Sequence, residues 1–547
     1  AEAILRELGS RSRYSAITVD AVARLTVAEM VGGFGGLLPA LDVDSAGLTV
    51  LVGTNPVVSH GHAGAIVDPI EALRRVAARV GLWVIDPRRT ETARLATRHL
   101  AVRPGSDHAL LAYVVRSLLA NGADAEYLAL HVAGVDALRQ AVEPWTRDVV
   151  EARTGLAAAE IDALVDAIRD AGRVTVVTGT GTTMAASANV TEWLAWAIQI
   201  ITGSFEHAQG AWFNPGAFVR LDRSGVSAAP PEGRSAEGAP SRPELPSRFG
   251  ERPCAALADE IEAGNVRALL VIGGDPLTSL PDTARLERAF SQLEVLAVAD
   301  VVEADTVARA THVLAVAGQL ERDDVNWFTD RFSPVMTAQR TDAVLAPGAN
   351  RRLLVDVLAD LAGRLGFVAP VTHSQRMAKC VERAPGLADE RVVVSDPPRV
   401  RGWVHDSVLP EGRWRVAPGA LVEQLARLLD ARSPTLVAIP RRAVRRMNSA
   451  LRDVGRGGED ASLWCNPKDA IGLVDGQRVA VTGHHGSIAA VLHITDDIVP
   501  GAISVPHGLS GQNVSRLTSS AAGTVDPLTG MITQSGIPIT ISAAPDA

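Results

Sequence analysis

The residues of this 547-residue chain best placed to do chemistry sit in two loops that nearly repeat each other. The first reads LVGTNPVVS over 51–59, followed by IDPRRTETARLATRHLAV over 85–102. The second reads VIGGDPLTS over 271–279, followed by ADVVEADTVARATHVLAV over 299–316. In register, Gly53, Pro56 and Ser59 face Gly273, Pro276 and Ser279. Asp86, Thr92, Ala96, Thr97, Ala101 and Val102 face Asp300, Thr306, Ala310, Thr311, Ala315 and Val316 at one constant offset. Identities held in step like this imply two copies of one α/β unit, each presenting a nucleotide-sized crevice.

The chemistry follows from residue type. Glycine directly after a strand (Gly53 in the first copy, Gly273 and Gly274 in the second) lets backbone approach a ligand, and the proline fixes the turn. Asn55 and Asp275 offer a short polar side chain to a ribose or base. Asp86 ends the next strand, where a carboxylate accepts the two parallel N–H donors of a guanine edge. Arg88 and Arg89 suit phosphates, and Thr90 lies in the same loop. Gly105 and Asp107, in RPGSD, repeat the theme, with Asp107 also placed to cap its helix. TGTGTT at 178–183 spaces Gly179, Gly181 and Thr182 as a phosphate or pterin loop would. Each motif alone reads equally well as a turn, a cap or a solvated arginine. The duplication is what favours binding.

The elements that must carry these loops follow from periodicity. Residues 48–52 are an apolar run ending in Gly53, as in a buried parallel strand. Asp68 and Pro69 open a helix that Gly81 closes, and 82–85 is the next strand. A helix runs from Ser106 or Asp107 to about Gly122. A strand near 173–177 is expected to open a second α/β region, followed by a helix to Ile201 that reads as buried. Residues 224–252, rich in Pro, Ser and Gly, read as a loop. A helix over 255–263 leads to the strand 268–272. After about Pro434, short β-branched runs at 478–483, 487–495, 501–508 and 537–541 alternate with turns, as in a compact β-barrel.

Composition narrows the classes. With 47% hydrophobic and 21% charged residues the chain is globular, and its length suggests about three domains. The net charge of −9, without a basic block, argues against nucleic acid and anionic membranes. Lys379 and Lys468 are the only lysines among 53 basic residues, a signature of genome composition. The three cysteines, Cys254, Cys380 and Cys465, form no CxxC pair, so neither a zinc site nor an iron–sulfur cluster is built from this chain alone. Few cysteines fit a reducing, cytoplasmic setting. No apolar run reaches membrane-spanning length.

In order, GxNP, DPRxTETA with RPGxD, GxGxT, GGDP, LERD at 320–323 and a C-terminal barrel resemble the molybdopterin oxidoreductase family, which includes dimethyl sulfoxide reductases, formate dehydrogenases and nitrate reductases. In the barrel, RRAVRRMNSALRD (441–453), LWCNPKDAIGLVDGQRVAV (463–481), DDIVPGAISVPHG (496–508) and VDPLTG (525–530) resemble the dinucleotide-binding domain of that family. The resemblance implies two Rossmann-like, doubly wound α/β domains related by pseudo-duplication, and a β-barrel. It implies molybdenum or tungsten held by two pterin guanine dinucleotides, one guanosine in each crevice. Asn448, His507 and Asn513 become candidate barrel contacts, with turn or capping roles as the alternative. Asp20 falls at the register of the family's metal ligand, and carboxylate oxygen suits a high-valent metal; otherwise it caps a helix over 21–30. The histidine that follows the ligand in formate dehydrogenases is Ala21 here, which counts against formate.

The expected organisation is an α/β domain over 1–170 with the candidate ligand and first crevice, an incomplete second α/β domain over 171–370, a linker or crossover over 371–432, and the barrel over 433–547. The family's four-cysteine domain and the first part of one α/β domain have no counterpart, so the chain reads as a fragment, inactive alone. A 4Fe–4S cluster is expected in that missing domain or in an electron-transfer partner. The expected function is two-electron redox on a small-molecule substrate. The alternatives are a metal-free electron-transfer scaffold and, ranked last for want of GxGxxG, tandem nicotinamide-nucleotide sites.

Overall fold

The computed structural model describes residues 1–61, 65–368, 371–394, 402–431, 434–444, 448, 461–510 and 512–544. Its first sheet is all parallel, in the order Arg98–Leu100, Leu82–Ile85, Leu48–Val52, Val174–Thr178. Leu48–Val52 is buried along its whole length because helices cover both faces. Leu51 and Val84 point to the helix Pro69–Arg79, packing on Leu73 and Val76. Val50, Val52 and Ile85 point the other way, to the helices Asp107–Ala120, Ala158–Ala171 and Ala188–Ile201. All 14 residues of Ala188–Ile201 are buried, as its apolar sequence predicts.

The second sheet runs His312–Ala315, Val295–Asp300, Ala268–Ile272, also parallel. Strand for strand it repeats the first three of the larger sheet. Among the described residues no strand pairs with the outer side of Ala268–Ile272, whose Ala268 is exposed and whose Leu269 and Leu270 are half-buried. The helices Leu257–Glu262 and Thr283–Phe290 cover one face over Val271, Leu296 and Val298.

One expected boundary is corrected. The strand Val174–Thr178 does not open the second domain; it pairs with Leu48–Val52 and completes the first sheet. Periodicity marks a strand but not its neighbour, and this partner lies far back in the chain. Of the two readings of 371–432, linker or crossover, its described residues form structure and cross back to the first domain. Val392–Val394 joins Thr337–Thr341 and Asp324–Val325 in an antiparallel sheet. Residues 402–429 return to the first domain, where Trp403, Val404, Trp414, Val416, Leu421 and Leu425 enter its core. Trp193 Nε1 donates to Val416 O at 2.8 Å, Trp403 Nε1 donates to Phe213 O at 2.8 Å, and Trp414–Arg415 pairs with Val132–Ala133. Residues 224–252 hold turns and isolated bridges, with no named helix or strand.

The C-terminal strands close a barrel in the order Val437–Arg441, Ala502–Pro506, Leu463–Cys465, Ser487–Ile494, Arg478–Gly483, Ile537–Ala543. Ile537–Ala543 pairs with both Val437–Arg441 and Arg478–Gly483, so no strand edge is left open. Leu463, Cys465, Val479, Val481, Ile488, Leu492, Ile503 and Val505 fill it at alternate positions.

One buried acid anchors the returning segment. Glu206, in left-handed backbone (φ 57°), accepts the Val404 N–H at 3.2 Å at the start of the helix Trp403–Ser407. Burial raises its pKa from 4.5 to about 7, against the pull of the Val404 and His405 N–H groups. A raised acid pKa means that this group's contribution to stability is complete below the unfolded value and is lost as pH rises through about 7. Glu206→Gln keeps an acceptor and removes the buried charge. It is therefore expected to stabilise the chain by about 1–3 kcal/mol at pH 8 and to be near neutral at pH 4, read from urea unfolding at the two pH values.

Candidate functional site

The two crevices repeat in space as they do in sequence. Gly53 and Gly273 have φ of +57° and +58°, and each is followed by a single helical turn, Pro56–Ser59 or Pro276–Ser279. Asn55 Oδ1 accepts the Thr92 N–H at 3.2 Å and the Thr92 hydroxyl at 2.7 Å. Asp275 Oδ1 accepts the Thr306 N–H at 3.0 Å and its hydroxyl at 2.6 Å. The other side-chain ends are also held: Asn55 Nδ2 donates to Glu91 at 2.8 Å, and Asp275 Oδ2 accepts the Thr278 hydroxyl. These side chains tie the turn to the next loop. Thr90 Oγ1 accepts the Ala93 N–H, and the Ser59 hydroxyl donates to Asn55 O, so both brace the same loops.

Gly179 and Gly181 also serve packing. A Cβ on Gly179 would lie 2.4 Å from Thr54 Cβ, and one on Gly181 would lie 2.8 Å from Gly53 O. Gly181 N–H donates to Gly53 O at 3.0 Å, and the Thr182 hydroxyl donates to Gly179 O at 2.9 Å. The TGTGTT loop is pressed against the first turn rather than opened as a phosphate cradle. Gly105, Gly273 and Gly274, by contrast, face space that a Cβ would enter freely.

Acidic groups mark the first crevice. Asp86 is buried and its Oδ1 accepts the Arg88 N–H at 2.9 Å; burial raises its pKa against the pull of Arg88. Asp107 is the first residue of its helix and does not cap it, since Ser106 is the N-cap residue and its hydroxyl turns back to Arg103 O. Burial, then the neighbouring Asp86 charge, raises Asp107 to about 7 against the pull of its own backbone N–H.

The barrel grips both crevices. On the first, Arg89 N–H donates to Asp497 O at 2.8 Å, Val499 N–H to Pro87 O at 3.0 Å, and Arg94 pairs with Asp497 at 2.6 Å. On the second, Asn513 Nδ2 and the Ser515 hydroxyl both donate to Thr278 O, at 2.6 and 2.7 Å. Asp282 accepts the Ser520 N–H and hydroxyl at 2.9 and 2.8 Å. Asn513 also accepts the Ser515 N–H, so it caps its turn and docks the barrel together. Sequence reasoning missed Asp282, although it stands to Asp300 as Asp68 stands to Asp86, and both Asp68 and Asp282 adopt left-handed backbone.

Asp20 ends the short helix Ile17–Asp20, and the N-cap of the following helix, Val22–Gly32, is Ala21, so Asp20 caps neither. Three units meet here: Thr18 Oγ1 accepts the Cys254 N–H at 3.0 Å, and Gln534 Nε2 donates to Val19 O at 2.5 Å. Burial raises the Asp20 pKa, while Arg24 and the barrel's Arg442 pull it down. The same Arg442, with Arg441, acts on His507, whose pKa falls to about 4, mainly through burial. Asn448 is exposed in left-handed backbone (φ 52°); the neighbouring 445–447 and 449–460 lie outside the described residues. Among the described residues no three His, Cys, Asp or Glu side chains converge as a metal site.

The family model for molybdopterin oxidoreductases matches residues 6–364, and that for the molybdopterin dinucleotide-binding domain matches 436–537. The chain belongs to the molybdopterin oxidoreductase family. It is 26% identical over 384 residues to formate dehydrogenase H of Escherichia coli, covering 66% of this chain and 52% of that protein. It is 22% identical over 546 residues to the NADPH-Fe(3+) oxidoreductase subunit alpha of Geobacter sulfurreducens, covering 94% of this chain and 60% of that one. The chain thus spans between half and three fifths of these relatives. Acetylene hydratase from Pelobacter acetylenicus shares the fold, with a TM-score of 0.78, 17% identity, and coverage of 99% of this chain and 83% of that one.

The residues present fit the cofactor of that family. Asp107 is a buried carboxylate beside the open Gly105, and Gly273 and Gly274 leave room at the second turn. The packed and the open glycines separate experimentally. Gly179→Ala forces backbone against backbone and is expected to cost about 2–3 kcal/mol, whereas Gly274→Ala stays within about 0.5 kcal/mol, both by chemical denaturation.

Proposed function

We propose that this chain is the cofactor-bearing catalytic polypeptide of a molybdenum or tungsten oxidoreductase, with one guanine dinucleotide in each crevice and Asp20 as the protein's ligand to the metal. What carries this reading is a single barrel clamping two copies of one crevice, with Asp20 where all three units join. When bound, the group supplies two-electron redox at its metal. The chain's own residues bind and orient. Asp107 and Asp86 are acceptors for a base edge. Arg24 and Arg442 flank Asp20 and favour its anionic, ligating form. The substrate is a small molecule, and electrons pass to an iron–sulfur domain or partner subunit. Among the described residues no helix is long and apolar enough to cross a membrane.

A metal-free electron-transfer scaffold is the competing reading, and metal analysis decides between them. The isolated protein is expected to carry about one molybdenum or tungsten atom and about two guanine nucleotides per chain. Protein free of both would make it a scaffold. Asp20→Ala is expected to cut metal retention by about tenfold, a loss of about 1.4 kcal/mol, while leaving the guanine content intact. Unchanged metal in that variant would remove Asp20 from the ligand position.

A further inference from the structure

The core of the first domain contains a row of oxidisable side chains that the proposed function does not use. Trp196, on the buried helix Ala188–Ile201, packs with its ring 6.0 Å from that of Trp414 in the returning segment. Phe205 fills the angle between them, 5.1 and 5.2 Å from the two indoles. Trp414 Nε1 donates to the Tyr127 hydroxyl at 2.9 Å, and that hydroxyl lies 3.3 Å from His405 Nε2. The His405 ring stands 4.7 Å from that of His131. Both indoles are buried, whereas Tyr127, His405 and His131 are half-buried, so the row runs from core to surface.

The inner end leads to the candidate metal ligand. Trp196 Nε1 donates to Glu192 Oε1 at 3.1 Å, and Glu192 Oε2 accepts the Thr178 hydroxyl and pairs with Arg24 Nε at 3.9 Å. Arg24 in turn acts on Asp20. The outer end sets a base beside a phenol. Burial holds the Tyr127 pKa well above its usual value, against the Trp414 hydrogen bond and with the help of the Glu206 and Asp124 charges, so the phenol stays protonated. Burial, then the neighbouring His131, lowers the His405 pKa against the pull of the Gly412 backbone and Asp406, so its imidazole is neutral at pH 7. Tyr127 and His131 face it from the helix Ala125–His131, Asp406 follows it on its own helix, and Glu206 accepts the N–H of Val404 before it. A phenol that loses an electron becomes a strong acid, and a neutral imidazole within reach of its O–H can take that proton. Packing alone asks for carbon at these places, whereas here each N–H and O–H of the row is aimed at the next polar group.

The geometry points to a redox-active Tyr127–His405 pair, fed through Trp414 and Trp196, that drains one-electron oxidising equivalents from the Asp20 region to the surface. Electrons and proton balance. Trp196 gives one electron to a strong one-electron oxidant at the inner end, Trp414 gives one to Trp196, and Tyr127 gives one to Trp414. The Tyr127 O–H bond breaks as its proton forms an N–H bond at His405 Nε2, leaving a neutral tyrosyl radical beside an imidazolium. A reductant of the thiol or ascorbate class returns one electron from solution, and His405 returns the proton. This goes beyond the proposed function, because the relay is made of the chain's own side chains and its test needs no metal.

The test is flash photolysis of the full chain carrying a ruthenium polypyridyl photo-oxidant on Thr180→Cys. Thr180 is exposed and two residues from Thr178, and Cys254, Cys380 and Cys465 are buried, so the label goes to one place. With a cobalt(III) ammine as the irreversible electron acceptor, transient absorption and electron paramagnetic resonance are expected to show an indolyl signal that decays into a tyrosyl radical. Tyr14 and Tyr113 are the only other tyrosines. Tyr127→Phe is expected to cut the tyrosyl yield at least about tenfold and to let the indolyl radical persist. Trp414→Phe and His405→Gln are each expected to slow tyrosyl formation at least about tenfold. In the labelled chain the rate should fall as acid protonates His405 and should be lower in heavy water, and His405→Gln should lose the acid dependence. Circular dichroism checks that each variant folds. No tyrosyl radical in the labelled chain, one that survives Tyr127→Phe, a rate untouched by Trp414→Phe, or acid dependence kept in His405→Gln would overturn the relay. Metal and guanine content report on the proposed function separately, so either idea can fail alone.

Discussion

One barrel is hydrogen-bonded to the loops of both crevices, and the arrangement of the two α/β units rests on that. The α/β units meet through a set of directional contacts, among them Cys254 N–H on Thr18, Arg252 N–H on Arg13 O, Arg252 Nη1 on Ser12 and the Arg13–Glu251 ion pair. The barrel bridges them. Its closed strands leave no edge to slip, and its docking bonds run from main chain and short side chains at both ends.

Each turn is in turn fixed by a threonine. Thr92 and Thr306 give both an N–H and a hydroxyl to the acceptor that begins the helical turn, and their Oγ1 atoms also receive the N–H groups of Val57 and Leu277. That leaves the glycine backbone before the turn in the left-handed region. In the first copy Gly53 is then met by Gly179 and Gly181, a backbone approach that only glycine permits.

The duplication was legible because these roles demand particular residues. A left-handed turn needs glycine, a one-turn helix favours proline at its start, and the tie needs a short acceptor opposite threonine. The glycine, proline and threonine are identical in the two copies, and the acceptor changes only from Asn55 to Asp275. What the residues do could not be read the same way. Asn55, Asp275, Thr90, Gly179 and Gly181 suit a ligand and suit a turn equally well, and here they serve the turn. Strand pairing across long separations was hidden too: Val174–Thr178 looks identical whether it starts a sheet or completes one. The tryptophans at 403 and 414 lie in short, proline-flanked pieces whose pattern matches no period, so their return to the first core had no signature.

The differences between the copies are as informative as the identities. At the glycine and at the threonine tie the two agree, with φ of +57° and +58° and hydroxyl bonds of 2.7 and 2.6 Å, and they part only after the helical turn, where His60 is left-handed and Leu280 extended. Away from that frame they diverge: the buried Arg88 stands against the exposed Val302, and the buried Asp107 against Glu321, which is paired with Arg351. A frame that is costly to alter and side chains that are free to change is what close packing imposes. It follows that the shared turns are the part of each copy fixed by packing, and the unshared charges the part that packing leaves free to change.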